Sequence, residues 1–261
     1  MKVLFIILSS IIISCNAIEV LTGEKSGVDR GRSEEDKALY NDLIGYWNFN
    51  EAAGENKSSP HSNLILNIQA NSSEIPSKTS SPRGSGLDCD SATSAGNNIL
   101  ESSNALMVAS TEQIAISFWA KPNSTFAVAE SSRLLAFSDG TFSGVSFYAT
   151  AAGLPDTLDF EYQAAPHPIS LPAGVSSKWS HYVLNIDLGS QNFDLYVDGQ
   201  FIGAAGIGAG SLSNTTFVAC STFSPPALGE FKGSIDSLGM WRRNLSFDEI
   251  SYLYNNNTSL D

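Results

Sequence analysis

Apolar and polar residues alternate in short runs along most of residues 43–241, and Gly, Pro, Asn and Asp separate the runs. A period of two residues is the pattern of a strand with one buried face. The clearest runs are 112–122, 158–162, 179–187 and 193–197. Turn residues recur about every 8–12 positions, so the pattern predicts an all-β, two-sheet sandwich of about twelve to fourteen short strands.

Hairpins and loops are predicted between these strands. Asp198-Gly199 separates two alternating runs, and Asp-Gly favours a type I′ turn because both central residues of that turn need positive φ. Residues 138–140 predict a second hairpin. Residues 55–86, rich in Ser, Asn and Pro, are predicted as loops around one short strand, and residues 203–213, rich in Gly, Ala and Ser, as a flexible loop.

A last strand is predicted at residues 231–241. Strict alternation divides its residues into two faces: Asp236, Leu238 and Met240 on one, and Ile235, Ser237, Gly239 and Trp241 on the other.

One short helix is predicted directly after this strand. Ser246 and Glu249 match an S-x-x-E capping box, in which each side chain bonds the backbone amide of the other residue. Leu245 and Ile250 occupy the positions of a hydrophobic staple. The helix is predicted to continue through about Tyr254.

The charge of the chain limits its partners. The chain has 261 residues and a formal net charge of −13, from 27 acidic and 14 basic residues. Phosphate binding requires a basic surface, so nucleic acid is excluded as a partner. The acidic balance fits a solvated secreted surface or a cation-binding one.

The N-terminus predicts export. Lys2 precedes an apolar run that is too short to span a bilayer permanently, which is the pattern of a signal peptide. Ile12-Ile13-Ser14-Cys15 resembles a bacterial lipobox, whereas Cys15-Asn16-Ala17 also suits cleavage after a small residue. We favour a signal peptide over 1–14 with Cys15 as the acylated mature N-terminus. The protein is then a membrane-anchored lipoprotein at the cell surface or outer membrane, and alternatively it is secreted.

The remaining chain divides into three segments. Residues 15–41 are polar and without a sustained apolar period, so they are predicted to be a flexible tether. Residues 42–257 form the predicted sandwich domain, and 258–261 are a tail.

The three cysteines leave one pairing open. After either cleavage, Cys89 and Cys220 remain in the domain. In an oxidising compartment they form a disulfide, or they stay two separate buried thiols. No Cys or His spacing indicates a zinc site.

Four stretches together carry a resemblance. They are GYWNFNEAAG at 45–54, IAISFWAKP at 114–122, WSHYVLNID and LYVDGQFIG within 179–203, and GSIDSLGMWRRNLSFDEISYLY at 233–254. In this order they resemble the laminin-G-like, concanavalin A-like jelly-roll domains. The resemblance implies a two-sheet antiparallel jelly-roll β-sandwich with one short C-terminal helix. It implies little about function, because one fold hosts many functions.

The resemblance raises the question of catalysis. Family glycosidases carry E-x-D-x-E on one strand, and the nearest match here is Thr157, Asp159 and Glu161. Retaining hydrolysis needs two carboxyl groups about 5 Å apart as nucleophile and acid/base. Because Thr157 replaces the first glutamate of the pattern, no catalytic residue is assigned and the protein is expected not to be an enzyme.

The resemblance also implies calcium as a cofactor. Many family members hold calcium near the meeting of the first and last strands, where Asp236 matches the aspartate of the closing motif. Glu51, or backbone carbonyls of the first strand, supplies further oxygen ligands. Alternatively, Asp236 only accepts hydrogen bonds from nearby backbone amides.

Aromatic residues offer two locations for a sugar platform. Trp47, Trp119, Trp179 and Trp241 all fall in framework motifs, so they are expected to pack in the core. A platform is then expected from loop residues, with the candidates Phe126, Phe142, Tyr148, Tyr162 and Phe223 left open.

The expected function is a non-enzymatic, surface-anchored binding or adhesion module for a glycan or for an extracellular or host protein. Membrane contact is expected only through the lipid at Cys15. The alternatives are a glycoside hydrolase or lyase of the same fold, and a structural surface protein without a small ligand.

The lipid anchor gives a direct test. Labelled palmitate should enter the wild-type chain and not Cys15→Ser, because acylation needs the thiol. Release of a soluble wild-type chain that begins at Ile18 would show instead that cleavage follows Ala17.

Overall fold

The structure is a computed structural model of the chain. It describes residues 38–50, 57–58, 65–68, 77–91, 100–103, 105–108, 112–123, 126–138, 142–220 and 231–256. The predicted signal peptide, Cys15 and the predicted tether up to Lys37 lie outside the described residues, as do Glu51 and Phe223.

Short strands make up most of the described chain, as the alternating pattern predicts. They are β1 (Leu43–Trp47), β2 (Lys57–Ser58), β3 (Ile65–Ile68), β4 (Ser77–Ser81), β5 (Gly84–Asp88), β6 (Leu100–Ser102), β7 (Leu106–Val108), β8 (Gln113–Pro122), β9 (Glu130–Ser138), β10 (Phe142–Ala149), β11 (Thr157–Glu161), β12 (Pro168–Ser170), β13 (Ser180–Asp187), β14 (Asn192–Val197), β15 (Gln200–Gly206), β16 (Leu212–Thr215), β17 (Phe217–Ala219) and β18 (Gly233–Trp241). Two 3₁₀ turns cover Cys89–Ser91 and Val175–Ser177, and helix α1 covers Phe247–Asn255.

The strands form two large antiparallel sheets. Sheet I has eight strands in the order β15-β14-β13-β8-β18-β5-β4, with β1 also paired to β18. Sheet II has eight strands in the order β12-β11-β10-β9-β17-β6-β3-β2, and β7 and β16 form a separate pair. The jelly-roll sandwich with one short C-terminal helix is therefore confirmed.

The main core lies between the sheets and is built from the inward residues of each alternating run. On β8, Ile114, Ile116 and Phe118 are fully buried, and β13 pairs with β8 so that Ile116 faces Leu184. Burial of one such side chain contributes about 1.5–3 kcal/mol to the hydrophobic term. This face therefore fixes the register of the sheet, since a slip of one residue would expose it.

The prediction of loops at 55–86 and 203–213 was wrong in part. The first segment contains four described strands, β2 to β5, and the second includes the end of β15, which pairs with β14. Gly and Ala have low strand propensity, but pairing and packing override it here. The inward face at Gly203 lies against Ile169 of sheet II, whose Cγ2 would stand 3.2 Å from an added Cβ, so a small residue fits.

The predicted alternation of β18 was also wrong, because the strand contains a β-bulge. Its register against β8 shifts between Asp236 and Gly239, and Ser237 has φ 51°. A bulge inserts one residue and moves the following side chains to the other face. Leu238 therefore joins Ile235 in the main core, and Asp236 points to the opposite side.

The capping box at the start of α1 is present as predicted. The Ser246 amide donates to Glu249 Oε2 at 2.8 Å, and the Glu249 amide donates to Ser246 Oγ at 3.2 Å. Such a cap typically stabilises a helix by about 1 kcal/mol. Arg243 holds the same carboxylate through its guanidinium, with Nη2 2.6 Å from Glu249 Oε1.

A second, smaller core lies between α1 and the outer face of sheet I. Leu245 and Ile250, the predicted staple pair, are buried there with Trp241 and Val183. The last residues of the predicted tether, from Ala38, pack against it: Leu39 is buried, and its carbonyl accepts a 2.6 Å hydrogen bond from Trp241 Nε1. The outer face of sheet I is thus covered along part of its length.

Of the two alternatives for the cysteines, the structure has the disulfide. Cys89 and Cys220 are bonded, with their Cα atoms 5.5 Å apart and a sequence separation of 131. The bond joins the end of β5 in sheet I to the end of β17 in sheet II. Closing a loop of this length restricts the unfolded chain, which stabilises the fold by roughly 4–5 kcal/mol.

In the part of the chain that the structure describes, no helix is long and apolar enough to cross a membrane.

Candidate functional site

A surface cleft opens where four neighbouring strands of sheet I reach one end of the sandwich. The strands are β4, β5, β8 and β18, and the turns before β11 and β13 close the sides. The cleft has a volume of about 470 Å³. Its main lining residues are Ser80, Asp88, Lys121, Asn123, Leu154 and Trp179.

Trp179 is the aromatic residue of this cleft, and the expectation that it packs in the core was wrong. It is half-buried and belongs to neither core. Its ring lies over the β4–β5 hairpin, where Nε1 donates to the Ser80 carbonyl at 3.1 Å. The ring needs Gly86 beneath it, because a Cβ there would stand 3.2 Å from the ring and 2.8 Å from a backbone oxygen.

The alternation of β13 contained the signal for this exposure. Tyr182, Leu184 and Ile186 face the main core, so Trp179 falls on the opposite, outer face. Trp119 also lies on an outer face but is covered by α1, and Trp47 and Trp241 are buried in the two cores as expected.

The polar wall of the cleft is a linked set of hydrogen-bonding groups. The Asp90 amide donates to Asp88 Oδ1 at 3.3 Å, and the Asn123 side chain donates to the Asp90 carboxylate. Burial raises the pKa of Asp88, while hydrogen bonds from Asp90 and Ser234 act in the opposite direction. The disulfide at Cys89, between the two aspartates, anchors this wall to sheet II.

This arrangement suits a ligand that is rich in hydroxyl groups. Carboxylate and amide oxygens accept from hydroxyls, and the Asn and Lys side chains donate to them. The Trp ring offers a flat apolar surface with a polar edge, onto which the C–H face of a sugar ring can pack. The cleft is concave, and its lining combines one aromatic ring with several polar groups.

The loop aromatics do not provide a described platform. Phe126 and Tyr162 are buried, with 2% and 1% of their surface exposed, so their prediction as sugar contacts was wrong. Tyr148 is half-buried on sheet II. The side chain of Phe142 and all of Phe223 lie outside the described residues.

The residues that resemble the glycosidase motif serve to join strands. Thr157, Asp159 and Glu161 lie on the outer face of β11, since Leu158 and Phe160 enter the main core. Glu161 forms an ion pair with Arg133 of β9.

Asp159, the other carboxylate of the motif, also has a hydrogen-bond partner. Its Oδ1 accepts a 2.6 Å hydrogen bond from the His167 amide, next to β12. Burial raises its pKa to about 6. Both carboxylates of the motif thus hold neighbouring backbone or cationic groups.

Asp236 is fully buried, and its oxygens already have partners. Oδ2 accepts from the Ser81 hydroxyl, and Oδ1 accepts from the Ser237 amide at 2.6 Å. Burial raises the pKa of Asp236 to about 6, although hydrogen bonds from Ser81 and Ser237 and the positive charge of Arg83 act in the opposite direction. Asp236 therefore fastens the turn between β4 and β5, where the Arg83 amide also donates to Ser81 Oγ at 3.1 Å.

The predicted calcium site needs oxygen ligands besides Asp236. Calcium takes about six to eight oxygen ligands, and among the described residues no group of three His, Cys, Asp or Glu could hold a metal. Glu51, the other predicted ligand, lies outside the described residues, so calcium at this place stays a prediction.

A cationic and aromatic cluster under α1 was missed by the sequence reasoning. Arg83 lies over the Trp119 ring, 5.4 Å from its centroid, and its guanidinium donates to the Leu253 carbonyl in α1. Trp119 stacks on Tyr254 at 6.0 Å. Arg83 stands in a Ser-Pro-Arg-Gly turn, which predicts a surface residue, and only the fold shows that it attaches the end of the helix.

His181 completes this cluster as a neutral group. Its Nε2 lies 2.8 Å from Ser117 Oγ, and its ring centroid is 5.4 Å from that of Trp119. Burial lowers its pKa to about 3, with a further contribution from the charge of Arg83. It acts as a packed side chain of the outer face.

Comparison with known families identifies the fold. A family model described as concanavalin A-like lectin/glucanases superfamily matches residues 94–251, which is more than half of the chain. The chain belongs to this superfamily. The membership agrees with the resemblance of the framework motifs, and the cleft lies at one end of the superfamily's sandwich. Among curated proteins, none matches the sequence.

Solved structures show the same superfamily fold. Domain 4 of AbnA, a GH43 extracellular arabinanase from Geobacillus stearothermophilus, in complex with arabinotriose, is 15% identical, with TM-score 0.55, covering 82% of this chain and 98% of that one. The binding domain of Paraclostridial Mosquitocidal Protein 1 is 13% identical, with TM-score 0.58, covering 83% and 52%. The Trypanosoma rangeli sialidase is 15% identical, with TM-score 0.51, covering 82% and 32%. These likenesses support the fold alone.

The buried carboxyl of Asp236 predicts an unusual pH dependence. Its pKa of about 6 lies above the ordinary value of 3.8. The folded state therefore prefers the protonated form, and this stabilisation is complete below about pH 4 and lost as pH rises through 6. The unfolding free energy of wild type minus that of Asp236→Asn should fall by about 2–3 kcal/mol between pH 4 and 8 in denaturant titrations.

Asp187→Asn provides the matched control. Hydrogen bonds from Ser190 and Gln113 lower the pKa of Asp187, so the corresponding difference for this variant should rise with pH. A difference for Asp236→Asn that rises with pH, or that does not change, would show that this carboxyl is stabilised in its charged form.

Proposed function

We propose that the protein is a non-enzymatic binding module that recognises a glycan in the Trp179 cleft. The observation that carries this proposal is the position of Trp179. A large aromatic ring stands outside both cores, is fixed by a hydrogen bond to Ser80, and lines a polar cleft. Trp is amphipathic and usually buried, so its placement in an open polar cleft fits a ligand that has both an apolar face and hydroxyl groups.

The polar groups around the ring are fixed before a ligand arrives. Asp88, Asp90 and Asn123 hold one another by hydrogen bonds, and the disulfide at Cys89 fixes the backbone between the aspartates. A pre-organised site loses less conformational entropy on binding. Such a wall favours recognition of a defined arrangement of hydroxyl groups.

Binding is favoured over hydrolysis by the state of the motif carboxylates. Glu161 is held by Arg133, Asp159 by the His167 amide, and Thr157 stands where the family pattern has a glutamate. A retaining mechanism needs both carboxyl groups directed at the sugar. A glycoside hydrolase or lyase therefore remains the second candidate, with its test in the turnover of any glycan that binds.

The proposed setting is the surface of a cell, with the domain exported and anchored through a lipid on Cys15. The net charge of −13 on the whole chain disfavours nucleic acid as a partner. Solved neighbours include a domain in complex with arabinotriose and the binding domain of a mosquitocidal protein, which supports a carbohydrate or protein ligand in general.

Removal of the Trp179 ring tests the proposal. The wild-type protein should bind members of a glycan array that includes arabino-oligosaccharides. Trp179→Ala should weaken that binding at least about tenfold, which corresponds to 1.4 kcal/mol of lost stacking. Its melting temperature should change little, because the ring lies outside both cores.

Phe247→Ala is the matched control, since it removes an exposed ring on α1. It should leave glycan affinity unchanged. The proposal is contradicted if the wild type binds no glycan, or if Trp179→Ala binds as tightly as the wild type.

A further inference from the structure

The polar wall of the cleft stands just past the last paired residue of β5. Asp88 pairs with Ser234 of β18 and with Ser77 of β4, and the described pairing of β5 ends there. Cys89 and Asp90 follow in a 3₁₀ turn that belongs to neither neighbouring strand. Because this turn lies beyond the ladder, bonds other than strand hydrogen bonds hold it in place.

The turn is held from both sides. On one side the Asn123 side chain donates to the Asp90 carboxylate, and the Asn123 amide donates to the Lys232 carbonyl at 2.8 Å. On the other side the disulfide joins Cys89 to Cys220 at the end of β17. The side-chain hydrogen bond is only partly buried, whereas both cysteines are fully buried. Water can therefore compete for the hydrogen bond, but it cannot replace the disulfide.

The far end of the disulfide is a fixed point of sheet II. The Cys220 amide donates to the Leu134 carbonyl of β9 at 2.8 Å, and the Cys220 carbonyl accepts from the Phe231 amide at 3.2 Å. Cys220 has φ 66°, in the left-handed region that residues with a side chain rarely adopt. Such a conformation persists only where the surrounding structure determines it. Breaking the disulfide therefore removes a constraint on Cys220 together with the anchor of Cys89.

We propose that the Cys89–Cys220 disulfide switches glycan binding on, a proposal that rests on the function proposed for the cleft. In the oxidised chain the polar wall is held against sheet II and the cleft is complete. In the reduced chain the sandwich stays folded, but the wall becomes mobile and the cleft loses its defined arrangement of polar groups. Binding then requires an oxidising compartment, since a reducing cytosol keeps the two thiols apart.

The chemical step is thiol–disulfide exchange with a dithiol reductant. A thiolate of the dithiol attacks one sulfur of the disulfide, the S–S bond breaks, and the released cysteine thiolate takes up a proton. The second thiol of the reductant loses its proton and displaces the other cysteine from the mixed disulfide. An electron pair has then passed to the protein, and the products are both cysteine thiols and the oxidised, cyclic reductant. A disulfide oxidant runs the same steps in reverse.

Burial decides when the switch is set. Cys89 and Cys220 lie in the main core, so a thiolate reaches their bond only when this end of the sandwich opens. The folded, oxidised protein therefore keeps its binding state. As free thiols, the two residues are small buried hydrophobes that the same core accommodates. The oxidation state at the time of folding thus decides whether the cleft binds.

The test uses the full chain with Cys15→Ser, which leaves only the pair as thiols, folded with or without dithiothreitol. Thiol titration identifies the two forms, and both should give the same circular dichroism spectrum. On a glycan array that includes arabino-oligosaccharides, the reduced form should bind at least about tenfold more weakly. The variant Cys89→Ala with Cys220→Ala should bind as weakly as the reduced form, whether or not dithiothreitol is present.

Nuclear relaxation of the backbone ¹⁵N nuclei locates the change without any ligand. The order parameters of Asp90 and Asn123 should fall from about 0.85 in the oxidised form to below about 0.6 in the reduced form. Leu184 in β13 is the matched control, because it lies in the main core. Its order parameter should stay at about 0.85 in both forms.

The switch is overturned if the reduced chain binds as tightly as the oxidised one, or if Asp90 keeps its order parameter on reduction. Loss of order at Leu184 would also overturn it, because the disulfide would then be needed for the whole sandwich. Equal binding by both forms contradicts the switch alone. Absence of glycan binding by the oxidised chain contradicts the proposed function and the switch together.

Discussion

Helix α1 packs on the outer face of sheet I, and the polar groups at its start are all held by partners. Ser246 and Glu249 bond each other's amides, Arg243 holds the Glu249 carboxylate, and Asn185 bonds the Leu245 amide and carbonyl at 2.9 and 2.8 Å. A buried helix start without such partners would leave several backbone donors unpaired, and each unpaired donor would lower the stability of the fold. With them, the helix covers the second core and so divides the outer face into a closed and an open part.

The position of the cleft follows from where this helix ends. Tyr254, in its last turn, stacks on Trp119 and His181, at centroid distances of 6.0 and 6.3 Å. Trp179 stands on the same outer face of the chain two residues before His181, beyond the end of the helix. The same alternation that buries Trp119 under α1 thus leaves Trp179 facing the cleft. The Arg83 guanidinium donates a hydrogen bond to the Leu253 carbonyl and so holds the end of the helix over Trp119.

Much of the fold could be predicted from the sequence, because period-two alternation, Asp-Gly turns and a capping box report local geometry directly. The second half of β15, from Gly203, and the bulge at Ser237 could not be, since pairing with β14 and the packing around Asp236 decide them and no local pattern shows these contacts. For the site, the identity of Trp179 was visible, and its face was implied by the alternation of β13. Its exposure depended on the length of α1 and on the hairpin beneath it, which are tertiary facts.

The central claim is that Trp179, and no other tryptophan of the four, meets the glycan. The most direct measurement is a ¹H–¹⁵N spectrum of the indole N–H groups during titration with the best ligand of the glycan array, with Trp179→Phe to assign the signal. The account predicts that the Trp179 signal shifts in proportion to saturation, while those of Trp47 and Trp241 in the two cores stay fixed. A saturable shift at another indole with the Trp179 signal unmoved would contradict it.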